Sequence, residues 1–366
     1  MRVLASNSGS TSLKLCLFEL DDQHWKALHT GTIELTDQDG SETLREFLDP
    51  IGKPDVIIHR VVHAGAVSEA LAVIDTALIA KIRHWSVLAP GHNQAVLQQI
   101  DWCHRLLPTS EQFAAFDSGL YHELPQVARM YALPAALSPA WPIQRYGFHG
   151  LAHRNQWRQV KQSLPRERHA DLRLISLQLG GGCSWTAWRG AQVLDTSMGF
   201  TPLEGLVMGR RSGSIDPGIV LHLQQQENLS VDQVHTLISQ QGGLMATGSS
   251  DDMRVLLASD NAASTTALAH YCYQVRKAIG AAMAVLGGVD AISFGGGVGE
   301  HSAQIRQGIL AGLENFGIQL DSDLNSQASG AGRLHADTSK TALYLTPVNE
   351  MNEMMRQYQA FLNSSS

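Results

Sequence analysis

Cysteine is scarce in this chain, and Cys16, Cys103, Cys183 and Cys272 are scattered with no CxxC pair. That spacing argues against a disulfide frame or a thiolate zinc site and predicts buried, reduced thiols in a cytoplasmic protein. A basic excess is also missing: 27 Lys and Arg stand against 34 Asp and Glu, a net charge of −7. No stretch could neutralise several phosphates, so no nucleic-acid partner is expected. Apolar runs long enough to span a bilayer are absent, as is the apolar core of a signal peptide behind Met1, so no membrane partner is expected. Tandem repeats, coiled-coil heptads and low-complexity tracts are lacking too, apart from a short Ser-rich tail.

What is present is ordinary globular material. The chain has 366 residues, 44% of them hydrophobic and 17% charged, which is too long for one usual core and predicts two domains. Three glycine- or serine-rich turns each follow a β-rich apolar run: Asn7-Ser-Gly-Ser-Thr-Ser12, Gln178-Leu-Gly-Gly-Gly182 and Gly295-Gly-Gly-Val-Gly299. A glycine turn at a strand end lets backbone N–H groups approach and face an anion. Three of them fit a nucleotide gripped from two sides, with two domains facing each other across it.

Alternation and apolar runs predict strands over 2–6, 13–20, 25–35, 56–62 and 112–116. Helices are expected over 43–48, 77–85 and 93–106, the last opening after a Pro90-Gly91-His92 turn. A second unit repeats the theme, with strands over 172–179, 185–189, 191–195, 291–294 and 341–346. Its helices are expected over 220–226, 231–240, 252–259, 263–286 and 302–316. A final helix over 350–363 places Met351, Met354, Met355, Tyr358 and Phe361 on one face and is expected to return to the first domain.

Residues 195–218 form a long, polar, glycine-rich segment without periodicity, and segments of that kind tend to carry function. Arg210 and Arg211 sit in its turns, able to point a guanidinium at an anion or to remain solvated surface charges. Arg60 falls at the carboxyl end of a strand, where charged residues face ligand crevices or form structural ion pairs. His149 follows Gly147-Phe148 and precedes Gly150, so its flanks leave room for a ligand. Asp117 ends another strand, before Ser-Gly. Glu350 opens the last helix, where an acid also suits the helix dipole.

Taken in order, Asn7-Ser-Gly-Ser-Thr-Ser-Leu-Lys14, His59-Arg-Val-Val-His-Ala-Gly65, Phe116-Asp-Ser-Gly119, Arg145-Tyr-Gly-Phe-His-Gly150 and the 195–218 block resemble segments of the acetate kinase family. The resemblance covers nearly the whole chain, and the 195–218 block separates it from sugar kinases and actin-like chaperones. It implies an α/β fold of two actin-like (ribonuclease H-like) domains with a nucleotide cleft between them. Residues 1–119 plus 352–366 would form one domain and 120–351 the other. The implied activity is reversible transfer of the γ-phosphoryl group of ATP to acetate, giving acetyl phosphate and ADP, with Mg²⁺ or Mn²⁺, in a homodimer.

Residue by residue, the resemblance assigns Asn7 and Glu350 to the metal, and Ser10, Ser12 and Lys14 to the ATP phosphates. Arg60 matches the carboxylate contact, with Val62, Gly91, Phe148 and Pro202 around the acyl group. Asp117, His149 and Arg211 match the catalytic positions. Gln178, Leu179, Gly180, Gly181 and Gly182, then Asp252, Met253 and Arg254, then Gly297, Val298, Gly299, Glu300 and His301 correspond to nucleotide-binding stretches. Departures from the family pattern are Gln178 and Gly181 for a usual His and Asn, Arg210 for Thr, His301 for Asn, and Gly91 for a pocket leucine. They touch nucleotide and acyl preference. Propionate or butyrate phosphorylation is therefore the second reading, and a non-catalytic actin-like ATP-binding module a distant third.

Overall fold

The computed structural model describes residues 1–9, 12–21, 24–34, 40–50, 52–134 and 141–364. They divide into two compact units, one of Met1–His122, Phe148–Leu151 and Asn349–Ser366, the other of Glu123–Gly147 and Ala152–Val348.

The first unit is built on β1 (Arg2–Ser8), β2 (Ser12–Asp21), β3 (His24–Glu34), β4 (Val56–Val61), β5 (Leu71–Val73) and β6 (Glu111–Phe116). Their order is β3-β2-β1-β4-β6-β5. Side chains alternate between faces along a strand. Val3, Ala5, Val56 and Ile58 therefore share one face with Cys16 and Phe18, covered by Met354, Met355 and Tyr358 of the helix Glu350–Ser364. Leu4, Leu15, Leu17 and Ile57 take the opposite face, against Leu44 and Leu48 of the helix Ser41–Leu48 and Trp102 of the helix Pro90–Leu106. Burial on both faces is the reason β4 reads as a continuous apolar run. Each large side chain so buried contributes about 1.5–3 kcal/mol.

The second unit carries β7 (Arg173–Leu179), β8 (Cys183–Arg189), β9 (Gln192–Thr196), β10 (Ala291–Gly295), β11 (Gly332–Arg333) and β12 (Ala342–Leu345). Read as β9-β8-β7-β10-β12-β11, this sheet repeats the first. Three antiparallel strands lead into two parallel steps, and a short antiparallel edge strand closes each sheet.

Local differences from the sequence reading have identifiable causes. Pro90, Gly91 and His92 are no turn: they form the first turn of the helix Pro90–Leu106, where Pro at the first position needs no hydrogen-bonded N–H. The helix expected over 302–316 stops at Leu310, because Gly312 takes φ +86, and a single 3-10 turn, Glu314–Phe316, follows. The third glycine turn is itself helical, β10 running directly into Gly296–His301. All four cysteines are buried and unpaired, and burial pushes the Cys103 thiol up to about 12. No helix among the described residues is long and apolar enough to cross a membrane.

Candidate active site

In the first unit the parallel strands β1, β4 and β6 bring their carboxyl ends together. Asn7 lies on β1, Arg60 on β4, and Asp117 directly follows β6, its N–H donating to Val61 O at 3.0 Å. Arg60 forms a fork on Asp117, Nε to Oδ1 at 3.0 Å and Nη2 to Oδ2 at 2.6 Å. Its Nη1 donates to Asn7 Oδ1 at 2.9 Å and Glu350 Oε2 at 3.2 Å. Asn7 Nδ2 donates to the same Glu350 oxygen at 2.6 Å. Burial alone would push the Arg60 guanidinium down, but the Asp117 and Glu350 carboxylates outweigh it and hold it above its ordinary value. Two carboxylates thus share one guanidinium, an excess of negative charge that a further cation can offset.

Asp117 also anchors the segment that carries His149. Gly150 N donates to Asp117 O at 3.1 Å, and a Cβ on Gly150 would collide with that oxygen. Tyr121 Oη donates to Phe148 O at 2.8 Å. Between these ties His149 has φ +58, a left-handed backbone rare for a non-glycine residue and a frequent mark of functional sites. Phe148 is buried edge-on to His63, whose ring stacks on Trp85 at 5.0 Å. His63 Nδ1 accepts the Gly65 N–H, so in the neutral ring the hydrogen sits on Nε2. Val62 is buried beside it, and Gly91 lies exposed. Lys14 faces outward on β2 opposite Asn7, while Ser12 O accepts the Gly9 N–H at 2.7 Å. Ser10 lies outside the described residues.

The second unit gathers its own cluster. Gly180 N donates to Gly182 O at 3.1 Å, closing the turn between β7 and β8. A Cβ on Gly180 would lie 3.8 Å from Gly297 N, so these two glycine turns are neighbours, whereas Gly181 opens onto free space. Gly209 N donates to Gly181 O at 3.2 Å and brings up the 195–218 segment. There Met208 N donates to Arg211 O at 3.1 Å, forming the turn that presents both arginines. Arg210 pairs with Asp251, Nε to Oδ2 at 2.5 Å. Arg211 differs: its Nη1 donates to Pro202 O at 2.8 Å, and burial lowers its pKa against an opposing contribution from Cys183. Among the described residues it has no carboxylate.

Several residues expected to face nucleotide are occupied otherwise. Leu179 is fully buried, leaving only its backbone available, and the Met253 side chain is buried too. Asp252 caps the helix Met253–Leu257 and grips Arg254 at 2.7 Å, whose hydrogen bonds hold the carboxyl at about 2. Gln178 Oε1 is 3.5 Å from Gln156 Nε2. Val298 and His301 belong to the helix Gly296–His301, with His301 exposed, and Gly299 is buried. Tyr121 and Gln156 carry no sequence signal. Gly150, expected to leave room for a ligand beside His149, packs against Asp117 O and the Leu120 side chain instead.

Two sheets of one strand order, each ending in glycine turns and arginines, define a two-domain actin-like α/β protein. The sequence matches the family model described as the Acetokinase family over residues 44–356, and the chain belongs to that family. It is 36% identical to the acetate kinase of Sulfurimonas denitrificans over the full length of both chains. It is 33% identical to that of Rhodopseudomonas palustris over 95% of each. The fold is similar to Porphyromonas gingivalis acetate kinase, with TM-score 0.86 and 29% identity over 99% of both chains. It is also similar to a Francisella tularensis propionate kinase, with TM-score 0.88 and 29% identity over 97% of this chain and 98% of that one.

Proposed function

We propose that this chain transfers the γ-phosphoryl group of ATP to acetate, reversibly, giving acetyl phosphate and ADP. The observation that carries the reading is Arg211, a partly buried guanidinium without an acid partner among the described residues, in a turn bonded to a glycine loop. A cation partly withdrawn from water without a counter-charge is costly, and a phosphoryl group in transfer would supply the missing negative charge. Membership of the family and acetate kinase relatives at 33–36% identity support the same reaction.

The nucleophile decides what the site must do. Acetate is ionised at neutral pH, as carboxyl groups of this type titrate near ~4, so no general base is required. Catalysis then rests on positioning and on neutralising charge. Arg60 orients the acetate carboxylate, and Asp117, through its two parallel hydrogen bonds, fixes the plane of Arg60. Asp117 is therefore a positioning residue, with no proton to carry. His149 and Arg211 donate to the equatorial oxygens of the moving group. Val62 and Phe148, both buried in the first unit, supply apolar surface for the methyl group, and the resemblance assigns Pro202 the same role.

Asn7 Oδ1 and Glu350 Oε2 are hard oxygen donors in a cluster with surplus negative charge. No group of three potential acid, His or Cys ligands exists among the described residues. That set fits Mg²⁺ or Mn²⁺ arriving with the nucleotide and keeping most of its waters, rather than a permanently held metal. Bound there, the ion would neutralise the β- and γ-phosphates. In the same reading the protein is a cytoplasmic homodimer.

A hydroxylamine trap for acyl phosphate, run with ATP, Mg²⁺ and a panel of carboxylates, tests the activity. Acetyl hydroxamate is the expected product. ATP binding without any acyl hydroxamate would leave only a nucleotide-binding module. Propionate is the second substrate to examine, because Gly91 offers no side chain to close the pocket and a propionate kinase shares the fold.

A further inference from the structure

We propose that Glu300 is a positioning residue whose carboxylate holds the nucleotide-facing helix Gly296–His301 to the end of β12, rather than a nucleotide ligand. The inference rests on the ATP reading above. Glu300 Oε1 accepts two backbone N–H groups at once, Gly296 N at 2.9 Å and Val348 N at 2.9 Å. Gly296 is the first residue of the helix, and its φ of +77 sets it where a Cβ would lie 2.6 Å from Leu179 O, against the neighbouring glycine turn. Val348 comes just after β12 and two residues before Glu350 in the chain. One carboxylate oxygen therefore ties the start of the glycine helix to the strand end that leads into the helix Glu350–Ser364.

The other end of this helix is fixed as firmly. Arg306, 1% exposed, donates Nη1 to Gly299 O and Glu300 O, both at 2.9 Å. Its Nε and Nη2 go to Asn325 Oδ1 and O at 2.7 and 2.8 Å, and Asn325 Nδ2 donates on to Ala303 O at 2.9 Å. A helix of six residues has too few internal hydrogen bonds to persist alone. Its placement is supplied by Glu300 at one end and Arg306 at the other. Gly297 keeps open space around it, so the exposed backbone of this turn is left for the nucleotide while the Glu300 carboxylate faces inward.

Reach, not charge, is then what position 300 requires. Glu300→Gln retains a side-chain oxygen at the same distance, and Glu300→Asp retains the charge but falls one methylene short. Calorimetric ADP binding with Mg²⁺ should stay within about threefold of the native protein for Glu300→Gln and weaken about tenfold or more for Glu300→Asp. That factor corresponds to losing one or two hydrogen bonds. The KM for acetate should move less than threefold in both. Hydrogen exchange on the ligand-free protein should accelerate in peptides covering 294–301 and 344–350 in Glu300→Asp only. The reverse order of the two variants, equal effects in both, or weakened ADP binding with unchanged exchange in the free protein would overturn the proposal. Native protein that binds no ADP would instead overturn the ATP reading, while the exchange comparison would still report on the tether.

Discussion

Arg60 and Asp117 meet through two parallel hydrogen bonds, Nε to Oδ1 at 3.0 Å and Nη2 to Oδ2 at 2.6 Å, which leaves the two Nη1 hydrogens and the second Nη2 hydrogen outside the fork. Bidentate pairs fix orientation as well as charge. Asp117→Asn keeps the volume but replaces one acceptor with a donor, so the guanidinium plane loses its support. Acetate KM should rise about tenfold or more, since one charge-assisted hydrogen bond is worth about 1.5–3 kcal/mol, while ADP affinity changes little. Steady-state kinetics with calorimetric ADP binding reads both; unchanged acetate KM would remove Asp117 from its positioning role.

The Nη1 donors make a second prediction. Arg60 Nη1 points at Asn7 Oδ1 and Glu350 Oε2, the oxygens proposed above for Mg²⁺. Arg60 can offer Nη1 to acetate only once those oxygens have another cation. Acetate should therefore bind more tightly with Mg²⁺ and ADP present than without, by about tenfold on the same hydrogen-bond scale. Line broadening of labelled acetate, titrated with and without Mg²⁺–ADP, checks this. Equal affinity in both conditions would show that acetate does not depend on release of Nη1.

Arg211→Ala should lower kcat by about 10³–10⁵-fold, the range for an arginine that stabilises phosphoryl transfer. Fold and nucleotide affinity should persist, because Arg211 is not part of an ion pair among the described residues and contributes one hydrogen bond, to Pro202 O. Turnover within tenfold of the native enzyme would remove the assigned role.

Much of this was legible in the sequence because strands and glycine turns are local signals. The β1–β2 hairpin, β4 and β10 all follow from alternation or apolar runs flanked by turns. The helix Gly150–Gln162 was not legible, since the face it buries carries His153, Asn155 and Gln156 beside Leu151 and Trp157. His153 bonds Ser176 and Ser184 at 2.8 Å each, and Gln156 accepts from Ser293 and Thr346. A polar face satisfied by distant hydroxyls has no hydrophobic period to detect. Arg306 was invisible for the same reason: its partners are carbonyls and Asn325, brought to it by the fold. For Arg60 the sequence left a ligand contact and an ion pair as alternatives, and its geometry includes the ion pair.

His59, next to Arg60 on β4, makes stability depend on pH. It is wholly buried, with Nε2 2.8 Å from Gln112 Oε1. Burial pulls its pKa from 6.5 down to about 4, against the opposing hydrogen bonds of Gln112 and Gln99. The folded state therefore binds fewer protons than the unfolded chain between these values. Its contribution is complete above about pH 6.5 and is lost as pH falls toward 4, by up to about 3 kcal/mol. Urea unfolding from pH 4 to 8 should show a shallower acid limb in His59→Gln than in the native protein. Parallel limbs would contradict the neutral buried histidine.

Gly91 governs the last prediction, which concerns acyl length. It occupies the second position of the helix Pro90–Leu106 and is exposed, while Val62 and Phe148 of the same unit are buried. The resemblance sets a leucine at this position, and in the proposed reading its absence would remove a wall that excludes a longer chain. One methylene in an apolar pocket changes discrimination by only ~1–3 kcal/mol, or roughly 10–200-fold. Propionate should therefore be used within about tenfold of acetate in kcat/KM, at the low end of that range. Gly91→Leu should restore preference for acetate by about a further tenfold. It should also stabilise the helix slightly, since leucine costs about 1 kcal/mol less than glycine in a helix interior and somewhat less in the first turn. A change in acyl preference without loss of stability would separate pocket filling from misfolding. Acetate preferred more than a hundredfold by the native enzyme would mean that another side chain closes the pocket, and Gly91→Leu would then leave the ratio unchanged.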